Sequence, residues 1–367
     1  MSMRFQTLFL PVLGALSLAS TVLAEDLDSR LTAWRQETGV QGVAVAIYDG
    51  RNAILAVSGN RTEGGAALEP DDSFSIASVS KTFTAAAILV LADQGRLGLS
   101  DSAARLSGLD LPASVSVDQL LHHASGLPEY MGGALSFEVF LREHSEGRES
   151  WPVDQVRAFA VASAPETEPA FQYSNANYVV LGAIIERQTG LPLAQALDAL
   201  IFQPEALASA RLIRTSQDDP DALGHSEALA GMLGSAQLDE RLNRELATAG
   251  DAAGGIAINA ADLARWAHDY FSGAFVAGLD FEPPLGGEAF GLTGDVIAIG
   301  PGSYQVSYGD QILRLHGGDG LGITALAAYA PATGRSIAIL VNDDTVHALG
   351  FGEDGYLDAL VRDLLAD

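Results

Sequence analysis

Segments with strand character occupy the two ends of this 367-residue chain, and helix-forming segments fill its middle. Near the start, Gly42 to Tyr48 alternates apolar residues (Val43, Val45, Ile47). Ala53 to Val57 clusters them again across an Asp49-Gly50 turn, which predicts a β-hairpin. Near the end, Ser303 to Tyr308, Gln311 to Leu315, Ile323 to Tyr329 and Arg335 to Val341 are short strand-like runs separated by Gly, Pro and Asp turns. In the middle, Val117 to His122, Val153 to Ala162, Asn177 to Thr189, Pro192 to Leu200 and Ala260 to Phe271 show helical spacing or good helix formers. The expected class is therefore α/β of the α+β kind: one antiparallel β-sheet built from both termini, flanked by helices, with an inserted all-helical lobe at roughly 100–275.

The flanking helices have their own signals. Leu27, Leu31 and Trp34 recur at helical spacing over Leu27 to Thr38. Ser78 to Leu91 is Ala- and Leu-rich with no Gly or Pro, which predicts a buried helix ending near Gly95. An amphipathic helix is expected from about Asp354 to Leu365. The stretch Ser216 to Ala253 is polar and acidic and carries no clear period. No internal repeat or linker divides residues 25–367, which read as one domain.

Residues 1–24 read as a signal peptide. Arg4 supplies a positive start, Leu8 to Leu18 is mostly apolar with Pro11 inside it, and Val22-Leu23-Ala24 offers small residues for cleavage. Export to the periplasm or medium of a bacterium follows as an expectation. The apolar run is short for a membrane span, and no later segment is long enough to make one.

Composition narrows the partners. A net charge of -27 repels phosphate backbones, so nucleic acid is excluded as an expected partner. With no cysteine there are no disulfides, thiolate metal sites or cysteine nucleophiles. The basic residues are one lysine, Lys81, and nineteen arginines.

That lysine lies in Ser78-Val79-Ser80-Lys81. Residues three apart share a helix face, so Ser78 Oγ and Lys81 Nζ can meet. A serine hydroxyl needs a base to become a nucleophile, and an amine serves only if burial holds it neutral. Arginine cannot lose its proton in a protein. A chain that uses arginine everywhere else keeps its one lysine where a deprotonated amine is chemically useful.

Two further segments can join this pair. In Tyr173-Ser174-Asn175, a phenol of lowered pKa can shuttle protons, and an amide can orient both substrate and lysine. Asn175 can also cap a helix beginning near Asn177. His316-Gly317-Gly318-Asp319 closes a strand-like run, where glycine allows close backbone approach and N–H groups can bind an acyl oxygen. The glycines that follow lack the spacing of a phosphate-cradling loop. His122, His123, His144, His225, His268 and His347 form no metal-site spacing, so no metal and no cofactor are expected.

Phe74-Ser75-Ile76-Ala77-Ser78-Val79-Ser80-Lys81-Thr82-Phe83-Thr84 resembles the active-serine block of class C β-lactamases and their esterase and D,D-peptidase relatives. Leu120-Leu121-His122-His123-Ala124-Ser125-Gly126-Leu127-Pro128, Tyr173-Ser174-Asn175, Gly254-Gly255 with Asp262-Leu263-Ala264-Arg265, and His316-Gly317-Gly318 match later blocks in the family's order. Together they cover about residues 40–345. The resemblance implies the fold of the serine β-lactamase and penicillin-binding-protein superfamily, with the site between sheet and helical lobe. It implies that Ser78 is acylated, that Lys81 and Tyr173 share the proton traffic, and that Asn175 orients substrate and lysine. Backbone N–H groups of Ser78 and Asp319 form the oxyanion hole on this reading.

The chain departs from the pattern twice. His316 replaces a lysine, so a fixed positive charge becomes conditional near neutral pH. Gly317 stands where β-lactamases usually carry a hydroxyl that binds the substrate carboxylate. Both changes favour an esterase or peptidase over a β-lactamase. The expected activity is hydrolysis of an ester, a D-amino-acid amide or peptide, or a β-lactam, with a small molecule or peptide as substrate and the oligomeric state left open. The alternative is a binding or sensor module that keeps the fold without turnover.

Overall fold

The computed structural model describes residues 13–163, 171–276, 279–283, 296–308 and 311–347, with positions 357, 360 and 361. Ten strands are described: β1 (Gly42–Tyr48), β2 (Ala53–Gly59), β3 (Ser73–Ser75), β4 (Arg211–Leu212), β5 (Ile256–Asn259), β6 (Val296–Gly300), β7 (Ser303–Tyr308), β8 (Gln311–Gly320), β9 (Ile323–Ala330) and β10 (Arg335–Val341). The helices are α1 (Leu13–Thr38), α2 (Ser80–Asp93), α3 (Ala103–Ser107), α4 (Val117–Leu121), α5 (Phe137–Ser145) and α6 (Val153–Ala160). They continue with α7 (Asn175–Thr189), α8 (Leu193–Leu197), α9 (Glu227–Leu233), α10 (Glu240–Gly250) and α11 (Ala260–Ser272).

Seven strands form one antiparallel sheet in the order β2-β1-β10-β9-β8-β7-β6. The N-terminal hairpin joins the C-terminal strands where Val43 faces Val341 and Ile47 faces Ile337. The sheet built from both termini is therefore present. At the hairpin tip, Gly50 takes a φ of 87°, and Asp49 Oδ1 accepts from Arg51 N and Asn52 N at 2.9 and 2.7 Å. An acidic side chain and a glycine close the turn for separate reasons, one through hydrogen bonds and one through φ.

Alternation along the central strands divides the apolar residues between two cores. Val43, Val45, Ile337 and Ile339 face a layer that includes Leu27, Leu31 and Trp34 of α1 and Leu357, Leu360 and Val361. Ala44, Ala46, Ala325, Ala327 and Ala338 belong to the other core, which they share with residues of α2, α7 and α11, and α11 packs on these strands. Alanines on that side let the helices sit close to the strands. The expected C-terminal helix at 354–365 lies mostly outside the described residues, although Leu357, Leu360 and Val361 within it are helical and buried.

Two expected boundaries need correction. Helix α1 extends N-terminally to Leu13, so the proposed cleavage point after Ala24 falls inside a helix in the uncleaved chain. Helix α11 packs on β1, β9 and β10. The all-helical lobe thus ends before it, not near 275, because Leu263, Trp266, Ala267 and Tyr270 form an apolar stripe that the sheet covers. A second sheet, ordered β3-β5-β4, was not legible because strands of two to four residues have no measurable period. The unassigned stretch 216–253 supplies α9 and α10.

Candidate active site

Strand β3 leads into a single 3-10 turn, Ala77–Val79, and then into α2. Ala77 takes a φ of 41°, unusual for a residue with a side chain, which makes the change of direction sharp. Ser78 is thereby presented, half-buried, on the wall of a cavity. One turn later Lys81 points back from α2 and exposes none of its surface.

Lys81 Nζ has three oxygen neighbours: Ser78 Oγ at 2.8 Å, Asn175 Oδ1 at 2.7 Å and the Ala253 carbonyl at 2.9 Å. A carbonyl and an amide oxygen can only accept. A neutral amine gives its two hydrogens to these two, and its lone pair is then left facing the Ser78 hydroxyl. Burial lowers the Lys81 pKa from 10.5 to about 7, against the opposing charge of Glu129. The amine therefore exists in quantity at neutral pH.

The Ala253 carbonyl is held in place by its neighbours. Thr84 Oγ1 donates to the Ala252 carbonyl at 2.7 Å, and Ile256 N donates to Ser80 Oγ at 3.1 Å. Thr84 and Ser80 thus tie α2 to the chain that runs from α10 into β5.

Tyr173 donates its hydroxyl to Ser78 Oγ at 2.8 Å. The expected lowering of this phenol is not found. Burial, then the charges of Glu129 and Asp319, push its pKa well above the ordinary value, and only the Ser78 hydrogen bond works the other way. Tyr173 is accordingly a protonated donor. Its ring lies beneath Lys81 Nζ at 5.0 Å and stacks on His123 with centroids 4.5 Å apart.

Asn175 is the first residue of α7, and the helix is capped by Ser174, whose Oγ accepts from Ala176 N at 3.2 Å. The expected cap by Asn175 is thus replaced by its neighbour, because the Asn175 amide is engaged elsewhere. Its Nδ2 and its backbone N both donate to Glu129 Oε2, at 2.9 and 2.7 Å. With Nδ2 fixed on a carboxylate, Oδ1 must face Lys81. Glu129 Oε1 accepts from Met131 N at 2.8 Å, which holds the carboxylate itself.

Strand β8 closes the site from the sheet side. A Cβ at Gly318 would sit 2.2 Å from the Ile76 carbonyl, so only glycine lets β8 approach the turn that carries Ser78. Asp319 lines the same cavity as Ser78. His316 and Gly317 are not among its lining residues. His316 is buried, donates Nδ1–H to the Gly317 carbonyl at 2.6 Å and packs on Tyr304. Burial first, then the charge of Lys81, lowers its pKa to about 3. His316 is therefore neutral near neutral pH, which corrects the expectation of a conditional positive charge.

Ser78, Lys81, Tyr173 and Asn175 are in direct contact; spacing predicted the Ser78–Lys81 pair, and the family resemblance implied the other two. Sequence reasoning passed over His123, Glu129 and the Ala253 carbonyl. His123 is buried at a φ of 53°; its Nδ1 accepts from Ser174 N at 3.2 Å, and its ring backs Tyr173. Burial and the charge of Lys81 keep it neutral, well below the usual imidazole pKa. His123 and Glu129 lay within or just beyond the block at 120–128. A backbone carbonyl has no sequence signal at all. Among the described residues, no cluster of His, Asp and Glu could hold a metal ion.

The Ser78 hydroxyl, the buried Lys81 amine and the Tyr173 phenol meet here, at the end of β8 beside a helical lobe. The family description Beta-lactamase matches residues 27–361. The chain belongs to the Beta-lactamase family. It is 32% identical over 159 residues to penicillin-binding protein 4* of Bacillus subtilis, covering 43% of this chain and 34% of that protein. It is 32% identical over 206 residues to the esterase EstB of Burkholderia gladioli, covering 52% of each. The chain thus spans about half or less of the length of these relatives. The D-amino acid amidase of Ochrobactrum anthropi SV3, solved with D-phenylalanine, superimposes with a TM-score of 0.75. That superposition spans 93% of this chain and 99% of that one at 23% identity, which supports the fold. No described helix is long and apolar enough to cross a membrane.

Proposed function

We propose that this member of the Beta-lactamase family is a serine hydrolase that forms an acyl-enzyme on Ser78. Neutral Lys81 takes the Ser78 proton as Oγ attacks the substrate carbonyl, and backbone N–H groups of Ser78 and Asp319 receive the developing oxyanion. Tyr173 hands its proton to the leaving group, and the proton that Lys81 took from Ser78 restores the phenol, since both groups lie beside Ser78 Oγ. Water then attacks the ester as the same groups run the steps in reverse.

The observation that carries this reading is the setting of Lys81: fully buried, shifted to about 7, and oriented by two fixed acceptors toward Ser78. Named relatives support hydrolysis of an ester, a D-amino acid amide or a peptide. The missing carboxylate-binding hydroxyl at Gly317 and the neutral His316 favour these over a β-lactam. The N-terminal pattern over residues 1–24 supports export.

Intact-mass labelling with a fluorophosphonate and hydrolysis of p-nitrophenyl acetate test the assignment. The native chain should label once and turn the ester over, whereas Ser78→Ala should do neither. Full activity in Ser78→Ala would overturn the nucleophile, and a stable adduct without turnover of any ester, amide or peptide would favour the sensor reading.

A further inference from the structure

The cavity beside Ser78 encloses about 310 Å³, at the small end of the roughly 300–1,000 Å³ usual for ligand pockets. Met131, Leu135, Phe137, Phe140, Leu246 and Ile323 make its wall largely apolar. Phe137, at the start of α5, is 38% exposed, so a large ring on this wall remains in water until something apolar covers it.

The charges around the cavity are as informative as the wall. Among the described lining residues none is a lysine, arginine or histidine, and Asp319 is the one that carries a formal charge. Glu129 lies just behind Asn175. Lys81 is close, but Ser78, Asn175 and the Ala253 carbonyl already take its hydrogen-bonding capacity. A substrate carboxylate entering here would lose its hydration, meet no cationic side chain among the described lining residues, and lie beside the Asp319 carboxylate, whose Oδ1 is 3.6 Å from His347 Nδ1. An uncharged apolar group gains about 25 cal/mol for each Å² it removes from water. The net charge of -27 adds repulsion of anions at longer range.

We propose that this cavity receives an uncharged, apolar acyl group, aliphatic or aromatic, and selects against substrates that carry a carboxylate there. This specificity rests on the serine-hydrolase reading and narrows it toward esters and amides whose acyl part is neutral.

The test compares p-nitrophenyl hexanoate with the p-nitrophenyl monoester of glutaric acid, using native protein and Phe137→Arg. The native enzyme should favour the hexanoate in kcat/KM by at least about tenfold, the ratio produced by 1.4 kcal/mol. Phe137→Arg should shrink that ratio by slowing the hexanoate and speeding the glutarate. Equal rates on both esters, or a preference for the glutarate, would overturn the proposal while leaving the hydrolase intact. If neither ester is cleaved faster than by Ser78→Ala, the hydrolase reading fails instead. Calorimetric titration of Ser78→Ala with hexanamide and with the monoamide of glutaric acid then decides the cavity's chemistry. Binding of hexanamide alone supports it, and any other pattern overturns it.

Discussion

Lys81 can act as a base because burial outweighs the one nearby carboxylate, and that balance makes its pH behaviour predictable. Its folded pKa of about 7 lies below the ordinary 10.5, so the reactive amine grows as pH rises through 7. The kcat/KM for a neutral ester should rise with a midpoint near pH 7 and level off above it. His316, at about 3, and His123, lower than usual, do not titrate in that window, so their charge adds no second limb. Lys81→Arg keeps a charge that cannot be removed and should cost at least about a thousandfold, as loss of a catalytic base does elsewhere. Glu129 opposes the burial of Lys81, so Glu129→Gln should move the midpoint to lower pH while the glutamine oxygen still accepts from Asn175. A profile that stays in place would show that Glu129 acts only as a brace. Ser78, Lys81, Tyr173 and Asn175 were legible because each is a reactive side chain in a short recognisable block. Glu129 was not, because its contribution is a contact made across 46 residues of chain.

At the scale of elements, the site depends on three pieces meeting: the turn before α2, the start of α7 and the end of β8. Gly318 is the tightest of these junctions, since any Cβ would strike the Ile76 carbonyl. Gly318→Ala should cost about 1–3 kcal/mol of stability, as overpacking does. It should also weaken fluorophosphonate labelling, because β8 must shift away from Ser78. Thermal unfolding and labelling rate check both. Ser174→Ala removes the α7 cap and a hydrogen bond to the Pro128 carbonyl, so it should cost about 0.5–2 kcal/mol. Part of that loss should appear in kcat, because Asn175 is the next residue. The long strands and helices behind these junctions were readable from their periods. The 3-10 turn and the short strands β3, β4 and β5 were not, since two to four residues are set by what packs on them.

For the whole molecule, forty-seven acidic residues stand against twenty lysines and arginines. Self-repulsion of that size opposes compaction and is screened within about 10 Å at 0.1 M salt. The melting temperature should therefore climb between 10 and 300 mM sodium chloride, and a flat or falling curve would mean that local ion pairs dominate. Pairs with at least one buried partner, such as Arg244 with Asp219 and Arg214 with Asp251, are partly shielded from salt and should contribute less to the trend.

The amino-acid sequence by itself determined the main sheet and the candidate reacting groups. Period-2 runs at both ends specify one antiparallel sheet, and a single lysine one turn from a serine specifies the amine that can lose a proton. Both are written in neighbouring residues, so no knowledge of distant contacts is needed. The protonation states were decided only in the tertiary structure. It removed water from Lys81, His316 and Tyr173, placed Glu129 on Asn175, and aimed the Ala253 carbonyl at the amine. Desolvation and charge proximity are properties of what surrounds a group in space, and residues that supply them come from anywhere along the chain.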